Sequence, residues 1–271
     1  MTTARRQRPF GELLRQWRER RRLSQLELSL QAEISTRHLS FLETSRSTPS
    51  RDMVLHLAER LELTLREQND LLLAAGYAPA YSESPLDAPH LAAVRAAVRQ
   101  VLAGHEPYPA VVVDRGWNLV DANASVGLIT AGIAPELLVP PVNVLRMSLH
   151  PAGLAPRILN LGEWRAHLIG RLRRQVAASG DAALACLHQE LLAYPGADCA
   201  RESEIPEYGA IVVPLRVRLE GRELSFFSTV TTFGTPLDVT VAELVIESFF
   251  PADPATAALL RARSRDAARS V

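Results

Sequence analysis

The chain contains no lysine; all 30 of its basic residues are arginine, matched by 30 acidic residues for a formal net charge of zero. The net charge is zero but unevenly spread, and a positive excess on one part of the chain suits a polyanionic partner. Residues 1–80 hold 13 Arg against 10 Asp and Glu, an excess of +3 that the remainder cancels. No apolar run approaches the ~18 residues that a membrane span needs. Cysteine is scarce. Cys186 and Cys199 have no CxxC spacing, which predicts two free thiols in a reducing compartment. The seven histidines are scattered without HxxH or HExxH spacing, so no metal site is expected. There is no GxSxG, no P-loop and no GxGxxG after a strand. No enzyme class and no cofactor are therefore indicated. The arginine-rich stretch Met1–Arg8 leads into Phe10-Gly11-Glu12 rather than an apolar segment with a cleavage site, and a cytoplasmic location is expected.

What is present divides in two, as 271 residues allow. Residues 1–76 predict five short helices. Phe10, Leu13, Leu14 and Trp17 follow the spacing of one buried helical face. Ser24-Gln25-Leu26-Glu27 is a capping box, in which Ser24 accepts from the first turn and Glu27 reaches back. Ser35 opens a third helix with Leu39 and Leu42 inward, and Pro49 lies in the loop after it. Met53, Val54, Leu57, Ala58 and Leu61 mark a fourth helix. A fifth runs from about Thr64 to Ala74, with Gly76 as its stop. Two short helices joined by a few residues are what a helix-turn-helix requires: one face packs inward and the other can enter a major groove.

The run Leu23-Ser24-Gln25 … Ile34-Ser35 … Leu39 … Leu42-Glu43 … Pro49 … Leu57-Ala58 … Leu61 resembles the phage-repressor-like (Xre/Cro) helix-turn-helix family. The resemblance implies a lambda-repressor-like all-α domain that binds double-stranded operator DNA, with Ser35–Thr44 as recognition helix. Ser35, Thr36, Arg37 and Ser40 are then the groove-facing set, and Arg37 the base reader, since arginine suits guanine O6 and N7. Gln25 is expected on a phosphate, with Arg46 and Arg51 on the backbone. Phe41 either meets a thymine methyl or packs at the domain edge. Arg18 and Glu43 occupy positions that form an ion pair in this family. Two departures stand out: Glu33 and Ser45 replace glycines usual in the turns, and a left-handed non-glycine residue costs on the order of 1 kcal/mol.

Residues 77–89, with three prolines, read as a linker. Residues 90–253 then mix helices and strands. A helix is expected from about Leu91 to Leu102. Ala110–Val113 and Asn118–Ala122 form a hairpin, with Asn123 capping a helix near Ala124. A helix carries Leu161, Trp164, Leu168, Leu172 and Val176, and another spans about Asp181–Ala193. Strands follow at Ala210–Leu219, Arg222–Phe233 and about Asp238–Phe249, with Gly221 in a tight turn. Residues 254–271 read as a short helix that frays.

Leu145-Arg146-Met147-Ser148-Leu149-His150-Pro151, Asn160–Arg165, Thr232–Asp238 and Glu247–Pro251 resemble the MmyB-like ligand-binding family. That resemblance implies a PAS-like α+β fold around a largely apolar cavity and, for some relatives, a fatty-acid-like ligand. Trp117, Leu145, Met147, Trp164, Leu168 and Phe226 are candidate walls. Phe226 and Phe227 are adjacent in a strand, so one cavity can take only one of them. Arg146, His150, Arg157 and His167 are candidate anchors for a carboxylate.

Together these readings point to a homodimeric, ligand-responsive transcription regulator with no membrane partner. The competing readings are a constitutive repressor whose second domain only dimerises, a DNA-binding domain fused to an enzyme, and a helical interaction module.

Overall fold

The computed structural model describes residues 8–195 and 213–269. They form two compact units, one of residues 8–85 with 235–242, the other of the described residues between 86 and 234 with 243–269.

The first unit holds α1 (Phe10–Arg20), α2 (Gln25–Gln31), α3 (Thr36–Glu43), α4 (Arg51–Arg60) and α5 (Leu65–Ala74). Each of α2 to α5 starts the same way: Ser24, Ser35, Ser50 or Thr64 accepts a hydrogen bond from the third helical N–H. Ser24 and Thr64 are joined by Glu27 and Glu67 in complete capping boxes. The helices also end alike. Arg22, Glu33, Ser45, Glu62 and Gly76 take positive φ. The N–H that follows each one reaches back to a carbonyl in the last turn, Ile34 N to Ser29 O at 3.0 Å and Arg46 N to Phe41 O at 2.8 Å, for example. This is the left-handed helix stop, built four times out of five on a residue with a side chain. Glu33 and Ser45 thus hold the conformation for which their family positions usually carry glycine.

Leu14, Leu28, Leu39, Leu42, Leu57, Leu71 and Leu72 are fully buried and form one core. Gly11 lets α1 cross the end of α3: a Cβ there would lie 2.5 Å from the carbonyl oxygens of Leu42 and Glu43. Residues 77–85 are tied to the unit rather than free of it. Asn69 of α5 accepts from the N–H groups of Ala80 and Tyr81 and donates to the Tyr81 carbonyl, while Tyr77 Oη donates to Pro49 O. The segment 235–242, expected to begin a strand, instead belongs here. Val239 N donates to Ser82 O, Ser84 N donates to Asp238, and Val239 is fully buried in a short helix, Val239–Ala242.

The second unit is α+β. In chain order it comprises α6 (Ala92–Gly104), β1 (Ala110–Val113), β2 (Leu119–Ala122), α7 (Val126–Thr130), α8 (Val144–Leu149), α9 (Leu161–Ser179), α10 (Ala182–Ala193), β3 (Leu215–Leu219), β4 (Arg222–Thr231), β5 (Val245–Pro251) and α12 (Pro254–Arg269), the short helix of the first unit being α11. Residues 210–212 of the expected third strand lie outside the described residues, as does Cys199. The sheet is antiparallel in the order β2-β1-β5-β4-β3. Glu220 and Gly221, both at positive φ, make the two-residue turn between β3 and β4.

Val112 and Ile246 on one sheet face pack against Val98 and Leu102 of α6. The other face meets α8, α9 and α10 through Leu145, Trp164, Leu168, Leu187, Leu191, Val217 and Phe226. Phe226 is fully buried and its neighbour Phe227 is 36% exposed, as alternation requires. Asn123 is not a helix cap. Buried next to the β1 edge, it accepts from Ala110 N and donates to the carbonyls of Tyr108 and Leu102, while α7 begins later and without a side-chain cap. The tail is anchored at its start: Thr256 Oγ1 accepts from Ser225 N, and Leu260 enters the main core.

Candidate DNA-reading helix and ligand cavity

The reading helix is positioned from below. Glu43, at the end of α3, is buried and receives Arg18 Nε at 2.6 Å, Arg18 Nη2 at 3.0 Å and Gln25 Nε2 at 2.7 Å. Arg18 also donates Nη1 to Leu23 O at 2.7 Å. Bidentate contact to Glu43 is the leading reason that the Arg18 guanidinium is held above its ordinary value, against the opposing effect of burial. One buried carboxylate therefore ties α1, α2 and α3 together. At the other end, the Thr36 and Ser29 hydroxyls lie 2.9 Å apart and fasten the start of α3 to α2.

Above this network the polar face is open. Thr36 and Arg37 are exposed, Ser40 is half-buried, and Arg46 and Arg51 are exposed in the loop and at the start of α4. Ser35 is occupied as the N-cap of α3. The guanidinium of Arg37 rests 5.3 Å from the centre of the Phe41 ring, which ties Phe41 to the same face. Gln25, expected on a phosphate, donates its amide to Glu43 and so acts as a strut between α2 and α3.

The second unit holds a partly open cavity of about 70 Å³ between the sheet and α7, α8 and α9. Trp117, Leu145, Met147, Trp164 and Leu168 line it, with Val111, Val126, Ile129, Thr130, Val144, Ser148, Leu154, Leu215, Glu247 and Phe249. Trp117 is set by an aspartate turn, in which Asp114 Oδ1 accepts from the N–H groups of Gly116 and Asn118. Its own φ is 65°, an unusual conformation for an aromatic residue. Trp117 Nε1 donates to Gln175 and its ring carries the Arg171 guanidinium at 4.8 Å. Arg171 in turn donates to Glu247 at 3.1 Å.

Five residues expected at a ligand stand elsewhere. Phe226 is core, edge-on to Phe249 at 6.5 Å. Arg146 grips Glu190 with two bonds, 2.8 and 2.7 Å, and Tyr194 Oη donates to the same carboxylate. The Arg146 contact holds Glu190 below its ordinary value, while burial and then Glu190 push Tyr194 up to about 12. His150 accepts from Ala152 N and stands edge-on to Tyr194. Arg157 donates to the carbonyls of Ala131 and Ile129, closing the end of α7. His167 stacks on Trp164, outside the cavity lining, and burial followed by the Arg171 charge lowers its pKa. Each polar group has a structural partner, which leaves the cavity more apolar than the sequence suggests. Glu247 and Phe249 were missed, although a lone acid in the apolar strand Val245–Pro251 was a legible signal.

A wider depression of about 410 Å³ lies in the first unit along α5 and residues 79–83. Asn69 and Arg66 on its wall are engaged with the 80–81 backbone and with Glu83. Among the described residues there is no group of His, Cys, Asp and Glu that could hold a metal ion, and no helix long and apolar enough to cross a membrane.

A five-helix unit that presents α3 in this way is a DNA-binding helix-turn-helix, and its fusion to an α+β unit defines a transcription regulator. Family models agree: one for a helix-turn-helix domain matches residues 9–71, and one for the MmyB-like transcription regulator ligand binding domain matches residues 94–262. The chain belongs to the MmyB-like transcription regulators. No curated protein matches it.

Proposed function

We propose that this protein is a cytoplasmic homodimer that binds a two-fold-symmetric operator through α3 and changes its DNA affinity when an apolar small molecule, fatty-acid-like compounds included, enters the second unit. One head makes few contacts, which favours paired heads on paired half-sites. The observation that carries sensing is the apolar cavity walled by Trp117, Trp164 and Phe249. The antiparallel order β2-β1-β5-β4-β3 supports the PAS-like reading of its frame. A route for coupling is present in the chain itself. Strand β5 supplies Glu247 and Phe249 to the cavity, and it directly follows residues 235–242, which are part of the DNA-binding unit.

Arg37 is the proposed base reader, with Thr36 and Ser40 beside it and Arg46 and Arg51 on phosphates. Electrophoretic shifts with the promoter of its own or a neighbouring gene test this. Arg37→Ala is expected to cost about 1–3 kcal/mol on the operator and little on random DNA. Arg46→Ala is expected to weaken both and reduce the salt slope by about one. Equal losses on both DNAs for Arg37→Ala would remove it as reader.

The cavity size favours a second reading, a constitutive repressor whose second unit only dimerises. About 70 Å³ is less than half of the ~150 Å³ that admits benzene. Native mass spectrometry of the purified protein separates the two: a retained small molecule supports sensing, and a ligand-free dimer that accepts no alkyl probe supports the repressor.

A further inference from the structure

Among the described residues, the polar side chains that line the cavity, apart from its two tryptophans, are Thr130, Ser148 and Glu247. Thr130 spends its proton on the Val126 carbonyl at 3.2 Å. Ser148 Oγ accepts from Trp164 Nε1 at 3.0 Å, and its own proton has no acceptor among the described residues. Glu247 is 5% exposed. One of its oxygens takes Arg171 Nη1 at 3.1 Å; the other has no hydrogen-bond partner among the described residues. The matching cation is held back, because Arg171 does not line the cavity and its guanidinium lies over the Trp117 ring. The cavity is thus offered one anionic acceptor, Glu247, and one hydroxyl with an unspent proton, Ser148.

Resting on the sensing proposed above, we infer that Glu247 selects the polar end of the ligand: the site takes an alkyl compound ending in a neutral hydrogen-bond donor, a hydroxyl above all, and rejects the carboxylate anion. A hydroxyl can donate to the free Glu247 oxygen or accept from Ser148. A carboxylate has no proton to give. It would bring a second negative charge beside the first in an apolar, weakly screening space. Fatty-acid-like shape is kept, and the ionised head is excluded.

Titration of the full chain with 1-octanol and with octanoate at about pH 8, where the acid is ionised, tests this. Emission from Trp117 and Trp164, which line the cavity, reports binding. Octanol is expected to bind about tenfold or more tighter than octanoate, and Glu247→Gln to shrink that ratio toward one by admitting the anion. Octanoate binding the native chain as tightly as octanol would overturn the inference, with no variant needed. An unchanged ratio in a folded Glu247→Gln chain would overturn it as well. If neither compound binds the native chain, the sensing proposal itself fails, which is a different result from a reversed preference.

Discussion

Replacing Glu33 and Ser45 together by glycine is expected to stabilise the DNA-binding unit. Both residues sit at positive φ, 53° and 57°, one residue beyond the C-caps of α2 and α3. Both are exposed, and neither side chain makes a hydrogen bond among the described residues. The bonds that close these ends are made by the backbone, Ile34 N to Ser29 O and Arg46 N to Phe41 O, and survive the change. A side chain in the left-handed region costs about 1–2 kcal/mol. Glycine's looser unfolded chain takes back about 0.5–1 kcal/mol. The net gain is therefore ~0.5–1 kcal/mol per site, and ~1–2 kcal/mol for two separate helix ends that share no partner. Native-state amide exchange localises the effect. Hydrogen-bonded amides of α2 and α3, Leu28 and Leu39 among them, should exchange about five- to thirty-fold more slowly. The reverse perturbation is Gly76→Ala, at φ 85° with nothing near its missing Cβ, and it should cost about 1 kcal/mol from backbone strain alone. Faster or unchanged exchange in the double glycine chain would refute the claim that these helix stops are strained.

Three further outcomes follow from the contacts. Gly11→Ala forces a Cβ to 2.5 Å from two backbone carbonyls that cannot swing aside, so it should lower the stability of the first unit by about 1–3 kcal/mol in urea unfolding. Glu43→Ala strands Arg18 with most of its side chain buried, and a loss of about 3–5 kcal/mol is expected by the same measurement, accompanied by loss of operator binding. The third outcome concerns pH. Burial lowers the pKa of His167 in the folded chain, so the unfolded chain binds more protons once pH falls below the ordinary value of 6.5. Stability of the second unit should fall with acidification from that point down to the lowered folded value and be insensitive to His167 above it. Comparing urea midpoints at about pH 7.5 and about pH 5.5, His167→Gln should flatten the difference.

Residues whose role is local were legible in the sequence. Ser24 and Ser35 cap because a hydroxyl placed just before a helix can reach only the next few N–H groups, and Glu27 completes its box for the same reason. The Arg18–Glu43 pair came from family spacing and closes as an ion pair in the structure. Long-range residues were less legible. Arg146, His150, Arg157 and His167 have the chemistry of anchors, but Glu190, Tyr194, the Ala131 carbonyl and Trp164 reach them first. Asp238 reads as the start of a strand because the run Val239–Val241 is β-branched. Its carboxylate instead accepts from Ser84 N, and that partner lies 154 residues earlier in the chain. Likewise Asn123 has good capping chemistry, but the Ala110 N–H and the carbonyls of Tyr108 and Leu102 outcompete the helix for it. Composition reports what a side chain can bond; the fold decides which partner is nearest.

The small resting cavity bears directly on how the proposed sensing works. A ligand shifts an equilibrium only by the difference in its affinity for two states. A roomy preformed pocket would bind its ligand with the walls already in place and would leave little to transmit. At about 70 Å³, the cavity takes an alkyl chain fully inside only if its walls move apart. Two of those walls, Glu247 and Phe249, lie on β5, hydrogen-bonded to β1 on one side and β4 on the other. On the proposed reading the route runs along the chain, from β5 through Glu243 and Leu244 to residues 235–242, whose Val239 and Asp238 are buried in the DNA-binding unit. The same small volume that favours a ligand-free repressor therefore also makes ligand entry and structural change one event. The two readings part at a single point: whether an alkyl probe that quenches Trp117 and Trp164 also changes operator affinity. Linkage requires the reciprocal effect, so operator DNA must change the probe's affinity by the same factor. A probe that binds with identical affinity in the presence and absence of operator would leave the second unit as a dimerisation domain with an incidental hole.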